Sequence, residues 1–224
     1  MFTLFTDRFG GVSAPPYDYL NFGDHVGDNP ESVAKNRASL IGRVGPTLFM
    51  NQVHGDKFHV VDSADEVIPT CDALITTTSG VNLAVQVADC IPLLIHGDNV
   101  VAAVHVGRKG LINNIALKVL AEMKRLGGKN FHAWIGPHIC GKCYEVSQDV
   151  FEEVIAKYPA SRSQTIQGTC ALDLARSLEE ILIQQGVSVK NSAVCTVESL
   201  DYFSYRRDGI TGRTVGVILY LIHI

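Results

Sequence analysis

Apolar positions recur along the chain with two periods, and the switches between them mark the elements. From Val81 to Val87 the apolar residues Val81, Leu83, Val85 and Val87 occupy alternate positions, as in a strand with one face buried and one face wet. "IPLLI" (91–95) and "VVAAVHV" (100–106) are apolar runs flanking His96-Gly97-Asp98-Asn99, which predicts a hairpin. Beyond Gly110 the period lengthens. Ile112, Ile115, Ala116, Val119, Leu120, Met123 and Leu126 keep helical spacing until Gly127-Gly128, a glycine stop.

The remaining elements are read the same way. Asn29-Pro30-Glu31 combines an N-cap, a proline at the first helical position and an acid in the first turn, opening a helix to about Arg43. Short β-like runs follow at "PTLFMNQV", "KFHVVD" and "CDALITT". A strand is predicted at "FHAWI", helices after Ser147 and from Asp173 to Gln185, and closing strands at "SAVCTV" and "TVGVILYLI". Loop residues dominate the first thirty positions, and no repeat or linker marks a boundary. Strands and helices mix without strict alternation. That predicts an α+β fold, a mixed α/β sandwich of mixed sheets flanked by helices, as a single domain over residues 1–224.

Composition narrows the function classes. With 224 residues, 46% apolar and 19% charged, the chain can bury a full core without a disulfide or metal staple. A net charge of −4 gives no global attraction to nucleic acid or anionic membrane, though it permits a local basic pocket. The opening "MFTLFTDRFGGVS" has no basic stretch and meets Asp7 and Arg8 early, so no signal peptide is expected, and no apolar run is long enough to span a bilayer. A cytoplasmic protein with six reduced cysteines is therefore expected.

Several residues carry chemistry. Cys90 follows Asp89 where a strand gives way to a bend, which leaves three readings open: core thiol, nucleophile or metal ligand. His105 precedes Gly107-x-x-Gly110 and a helix start, a backbone suited to an anion beside an imidazole. His54 stands before a Gly-Asp turn, and His59, His132 and His223 are read as ordinary surface or core histidines. His25 is left undecided. Cys140-Gly-Lys-Cys143 is a C-x-x-C, but Cys170 and Cys195 are isolated in sequence, so the expectation is a structural segment rather than a zinc or redox site. "YFSYRRDGITGRT" carries three arginines, of which Arg206 and Arg207 are the candidates for gripping a phosphate.

Six motifs then fall in a telling order. "QVHG" (52–55), "DALIT" (72–76), "VADCIPLLI" (87–95), "HVGRKG" (105–110), "WIGPHICGKCYEV" (134–146) and "YFSYRRDGITGR" (202–213) together resemble the laccase-domain, or multicopper polyphenol oxidase, family. That family is described as zinc-dependent purine nucleoside phosphorylases with adenosine deaminase activity. The resemblance implies metal ligands at His54, Cys90 and His105. Two imidazoles and a thiolate suit zinc, and three protein ligands leave a fourth position for water. Copper is the lesser alternative, because a multicopper oxygen-reducing centre needs more histidines. One departure stands out: where the family has H-x-G-W-R-G, this chain has Arg108 and Lys109 in place of tryptophan and arginine.

The implied substrates are a purine nucleoside and phosphate, with no nucleic acid or membrane partner. Asp89 is the candidate for moving a proton in deamination. Gly107, Lys109 and Gly110, or Arg206 and Arg207, are the candidate phosphate seat. The alternatives are a thiol hydrolase or deamidase with Cys90 as nucleophile and His105 as base, an editing enzyme for peptidoglycan precursors, and a non-catalytic scaffold that keeps the metal site.

Overall fold

The computed structural model of the chain describes residues 2–219. The end of the predicted strand "TVGVILYLI", from Tyr220 on, and His223 lie outside the described residues. In chain order the first elements are β1 (Phe2–Phe5), α1 (Pro30–Val44), β2 (Thr47–Leu48), β3 (Phe58–Val61), β4 (Ala73–Thr76), β5 (Asn82–Val87), β6 (Ile91–His96) and β7 (Val101–Val106). Then come α2 (Arg108–Ile112), α3 (Ile115–Arg125), β8 (His132–Ile135), α4 (Gln148–Lys157), β9 (Arg162–Gln164), β10 (Cys170–Leu172), α5 (Leu174–Gln184), β11 (Ser188–Asn191), α6 (Tyr205–Asp208) and β12 (Thr214–Leu219).

Two mixed sheets stack face to face. One has the order β1-β12-β5-β2 and the other β11-β8-β6-β7-β4-β3. Between them Leu83, Val85, Val87 and Ile218 meet Leu74, Leu94, Val101 and Ala103. The outer face of the larger sheet (Ile75, Leu93, Ala102, Val104) is covered by Ile115, Val119 and Met123 of α3 and by Leu178 and Leu182 of α5. Beyond the smaller sheet, Ala84, Val215 and Val217 pack on Leu40 of α1 with Phe22 and Phe49. Each fully buried Leu or Val in these layers contributes roughly 1.5–3 kcal/mol. The expected sandwich flanked by helices is therefore what forms.

Local signals account for many boundaries. Asn29 caps α1 through its side chain, which accepts from the N–H groups of Glu31 and Ser32, and Gly45 ends it at φ 94°. The β6–β7 hairpin is antiparallel, with Leu93 opposite Val104 and Pro92 opposite His105.

Four expectations are corrected. β5 is buried on both faces rather than half-buried, because α1 covers its second face. Its polar residues find partners there: Asn82 donates to the Val44 carbonyl and the Gln86 N–H donates to Gln52 Oε1, each at 2.8 Å, though Asn82 Oδ1 stays buried without one among the described residues. The helix expected near Leu111 starts at Arg108 and breaks at Asn114, where φ is 61°, so it forms as α2 and α3. "SAVCTV" is not a strand. The strand precedes it as β11, paired parallel with β8, and Ala193 at φ 54° turns the chain away, leaving one bridge between Cys195 and His138. Finally, β1, unmarked by the local pattern, pairs with β12, Phe2 lying opposite Leu219.

Candidate functional site

The open end of the β6–β7 hairpin brings distant residues together. Cys90 immediately precedes β6, and His105 lies in β7 opposite Pro92, so the register alone places thiol and imidazole side by side. His54 comes from the loop between β2 and β3. The donor atoms of His54, Cys90 and His105 all lie within 4.8 Å of one another. Cys90 Sγ is 3.7 Å from His54 Nε2, and the two imidazoles meet edge-on with centroids 4.6 Å apart. Gly107 backs the cluster closely: a Cβ there would sit 3.2 Å from both Cys90 Sγ and His54 Cδ2.

Asp72, at the head of β4, holds this arrangement and carried no assigned role in the sequence reading. Its side chain is fully buried. Oδ1 accepts from His54 N at 2.9 Å and from His105 Nδ1 at 2.8 Å; Oδ2 accepts from Gly55 N at 2.7 Å and Val53 N at 3.3 Å. One carboxylate thus fixes the His54 loop, in which His54 itself has φ 57°, and orients His105 with Nε2 free for the cluster. Burial works against its charge, but hydrogen bonds from His105 and from the Gly55 and Val53 amides hold the carboxyl below the usual carboxylate range.

The thiol and imidazole perturb each other. Burial alone would push Cys90 up, yet the charge of His105 and hydrogen bonds from His105 and His54 together bring it down to about 6. Burial disfavours the His105 cation, and the Cys90 thiolate and Asp72 outweigh it, raising His105 to about 9. In metal-free protein, alkylation of Cys90 should therefore rise with pH through about 6, because only the thiolate reacts. Cys71, which burial pushes up to about 11, is the internal control; peptide mapping that finds both thiols rising together only in alkali would contradict the pairing.

Above the cluster opens a cleft of about 600 Å³, within the range of small-molecule sites. Asp89, Cys90, His105, Gly107, Lys109 and Arg206 line it, with His25, Arg108, Tyr144, Tyr205 and Arg213. Arg206 donates to the Glu145 carbonyl and lies over the Tyr144 ring, 5.2 Å from its centroid. Arg213 donates to the carbonyls of Thr211 and Gly212 and forms no ion pair among the described residues. It is the third arginine of "YFSYRRDGITGRT", and no sequence signal separates it from Arg206 and Arg207. His25 is held below its ordinary value by burial and then by Arg213.

Two candidates for the phosphate seat do not reach the cleft. Arg207 donates to the carbonyls of Thr196, Val197, Ser199 and Tyr202 and to Asp208, so its guanidinium is committed to the loop that carries it. Gly110 lies on the buried face of α2, with Gly55 O and His105 O 3.5 Å from where a Cβ would stand. Asp89 does face the cleft at φ 90°. Its Oδ1 accepts from Thr196 Oγ1 at 2.7 Å and its Oδ2 from Arg206 N at 2.6 Å.

The isolation of Cys195 is overturned as well. The loop after β11 carries Cys195 and Glu198 to within 4.8 Å of Cys140 and Cys143. Burial and the crowding of neighbouring thiols push Cys140 and Cys143 up, the opposite of an activated redox pair.

The chain is thus a two-sheet α/β sandwich with a His₂Cys donor set at the floor of a cationic cleft. The chain belongs to the family described as multi-copper polyphenol oxidoreductase laccase, whose family model matches residues 2–221. A Corynebacterium glutamicum protein named purine nucleoside phosphorylase is 42% identical, over 96% of this chain and 92% of its own. One of the same name from Streptomyces coelicolor is 43% identical, over 96% and 93%. Among solved structures, a Neisseria meningitidis protein superposes with a TM-score of 0.90 at 38% identity, covering 98% of this chain and 94% of its own. YlmD from Geobacillus stearothermophilus gives 0.88 at 30%, covering 98% and 92%. The expected family and fold are both found. Among the described residues no helix is long and apolar enough to cross a membrane.

Proposed function

We propose that the protein is a zinc-dependent purine nucleoside phosphorylase that also deaminates adenosine, acting in the cytoplasm. The observation that carries this is the convergence of His54, Cys90 and His105 at the floor of a cationic cleft, in a chain whose relatives bear the phosphorylase name. The donor set fits zinc: two imidazoles and a thiolate, with the second nitrogen of His105 tied to a buried carboxylate. The other donor group among the described residues contains no histidine, which disfavours a multicopper centre. Bound there, zinc would supply Lewis acidity and lower the pKa of a water molecule.

The chain's own groups divide the remaining work. Tyr144 and Leu174 offer the purine an aromatic and an apolar wall, the stacking surface that the family tryptophan, here Arg108, would otherwise give. Lys109, Arg206 and Arg213 supply positive charge for phosphate. In phosphorolysis a phosphate oxygen bonds to the ribose carbon as its bond to the base nitrogen breaks, and the departing base takes a proton. In deamination a water oxygen bonds to the carbon that bears the amino group as ammonia leaves, and Asp89 is the candidate that takes the water's proton, on lone pairs that Thr196 and Arg206 leave unused, and passes it to the departing amine.

A nucleoside panel with and without phosphate, run beside metal analysis of untagged protein, tests the reading; no turnover in either condition by metal-loaded protein would sink it. Arg213→Ala and Lys109→Ala should raise the phosphate KM roughly tenfold or more while sparing deamination. Equal loss of both activities would remove the separate anion seat.

The second reading, a thiol hydrolase, is favoured by one observation: Cys90, His105 and Asp72 form a nucleophile–base–carboxylate chain with the thiol lowered to about 6.

A further inference from the structure

We propose that Cys140, Cys143, Cys195 and Glu198 form a second, closed metal site that takes a zinc-class divalent cation and braces one wall of the cleft. Their donor atoms lie within 4.8 Å of one another. Cys143 Sγ is 3.7 Å and Cys140 Sγ 3.9 Å from Glu198 Oε1. A tetrahedral zinc with sulfur at about 2.3 Å and oxygen at about 2.0 Å sets its ligands roughly 3.5–3.8 Å apart, so the two Cys–Glu198 pairs already stand within tenths of an ångström of ligand spacing, and no pair exceeds it by more than about 1 Å. The pattern is one C-x-x-C and one C-x-x-E, Cys140-Gly-Lys-Cys143 and Cys195-Thr-Val-Glu198. The paired short spacing that the sequence withheld from the cysteines alone is completed by an acid.

The surrounding backbone supports ligation. The Cys140 N–H points at Cys195 Sγ across 3.4 Å, so the backbone of one loop already seats the sulfur of the other. The two loops already meet in a bridge between His138 and Cys195. Cys195 is 7% exposed while Glu198 reaches solvent, so an ion enters from the surface and four protein donors close around it. Such a site leaves no position for substrate and contributes folding energy instead.

Its place gives it a purpose. The residues beside two of its ligands hold Asp89: Ile139 N donates to the Asp89 carbonyl at 3.0 Å, and Thr196 Oγ1 donates to the Asp89 carboxylate. A metal joining Cys140 to Cys195 therefore locks both anchors of the residue that precedes Cys90. The inference does not depend on what the first site holds.

Metal content of the full-length chain, purified without chelator and measured by native mass spectrometry, tests it. His54→Ala protein should retain about one zinc per chain, and cobalt(II) exchanged into it should give thiolate-to-cobalt absorption that Cys195→Ser weakens. His54→Ala protein that carries no metal and binds neither added Zn²⁺ nor Co²⁺ would overturn the proposal. Should Cys195→Ser not fold, alkylation of Cys140, Cys143 and Cys195 in Cys90→Ala protein decides. Protection that disappears with a chelator supports the site, and equal labelling with and without chelator refutes it.

Discussion

Stripping the metal from the His54–Cys90–His105 site should abolish turnover and at the same time open Cys90 to alkylation. The three donor atoms lie within 4.8 Å of one another, so a bound ion ties up the thiolate lone pair that would otherwise attack an alkylating reagent. Loss of its Lewis acidity, worth several kcal/mol, corresponds to a rate drop of roughly a hundredfold or more. Added zinc should restore activity and protection together. His54→Ala should be about as damaging as Cys90→Ala, because a three-ligand site loses its geometry with either. A thiol enzyme behaves in the opposite way: iodoacetamide labels Cys90 in the untreated protein, chelators do no harm, and His54 matters far less. Rapid labelling of Cys90 in fully active, metal-free protein would decide for the nucleophile.

The elements that read correctly from sequence are those whose cause is local. The α1 cap at Asn29-Pro30, the β6–β7 hairpin and the α5 start at Asp173 each depend on residues within one turn of the boundary. The misreadings have non-local causes. β1 is defined by a partner at the far end of the chain, and β5 is doubly buried because α1, far from it in sequence, covers it. The site divides the same way. His54, Cys90 and His105 stand out through motifs, but spacing alone left Cys90 open among three roles. Asp72 lay inside a quoted motif, yet its work is invisible without the fold, since its partners come from another loop and another strand. Arg206 and Arg207 are adjacent and chemically identical; only the structure shows one facing the cleft and the other spent on carbonyls. Cys195 was dismissed for its isolation in sequence, which the loop after β11 removes.

Asp72→Asn should cost the protein both stability and metal. Asp72 is fully buried and its two oxygens accept four N–H groups, from Val53, His54, Gly55 and His105. An asparagine keeps one oxygen and turns the other position into a donor. If the amide faces the His54 loop, it opposes the N–H groups of Val53 and Gly55. If it faces His105, it opposes the His54 N–H and forces the imidazole into the tautomer with its proton on Nε2, which cannot then bind a metal. Either orientation leaves buried donors unmatched and removes a buried charge, at a cost of roughly 3–5 kcal/mol. The loss of the carboxylate behind a ligating histidine should weaken zinc binding by about 10–100-fold. The lowered carboxyl value of Asp72 also gives a sign to the wild type's pH dependence: its stabilising share is complete above the ordinary aspartate range and lost as the pH falls through the folded value. Asp72→Asn should lack that share at neutral pH and show a correspondingly flatter acid limb. Thermal unfolding across pH with zinc titration reads both effects. A variant with wild-type melting and wild-type zinc affinity would mean that Asp72 does not hold His105 and the His54 loop in place.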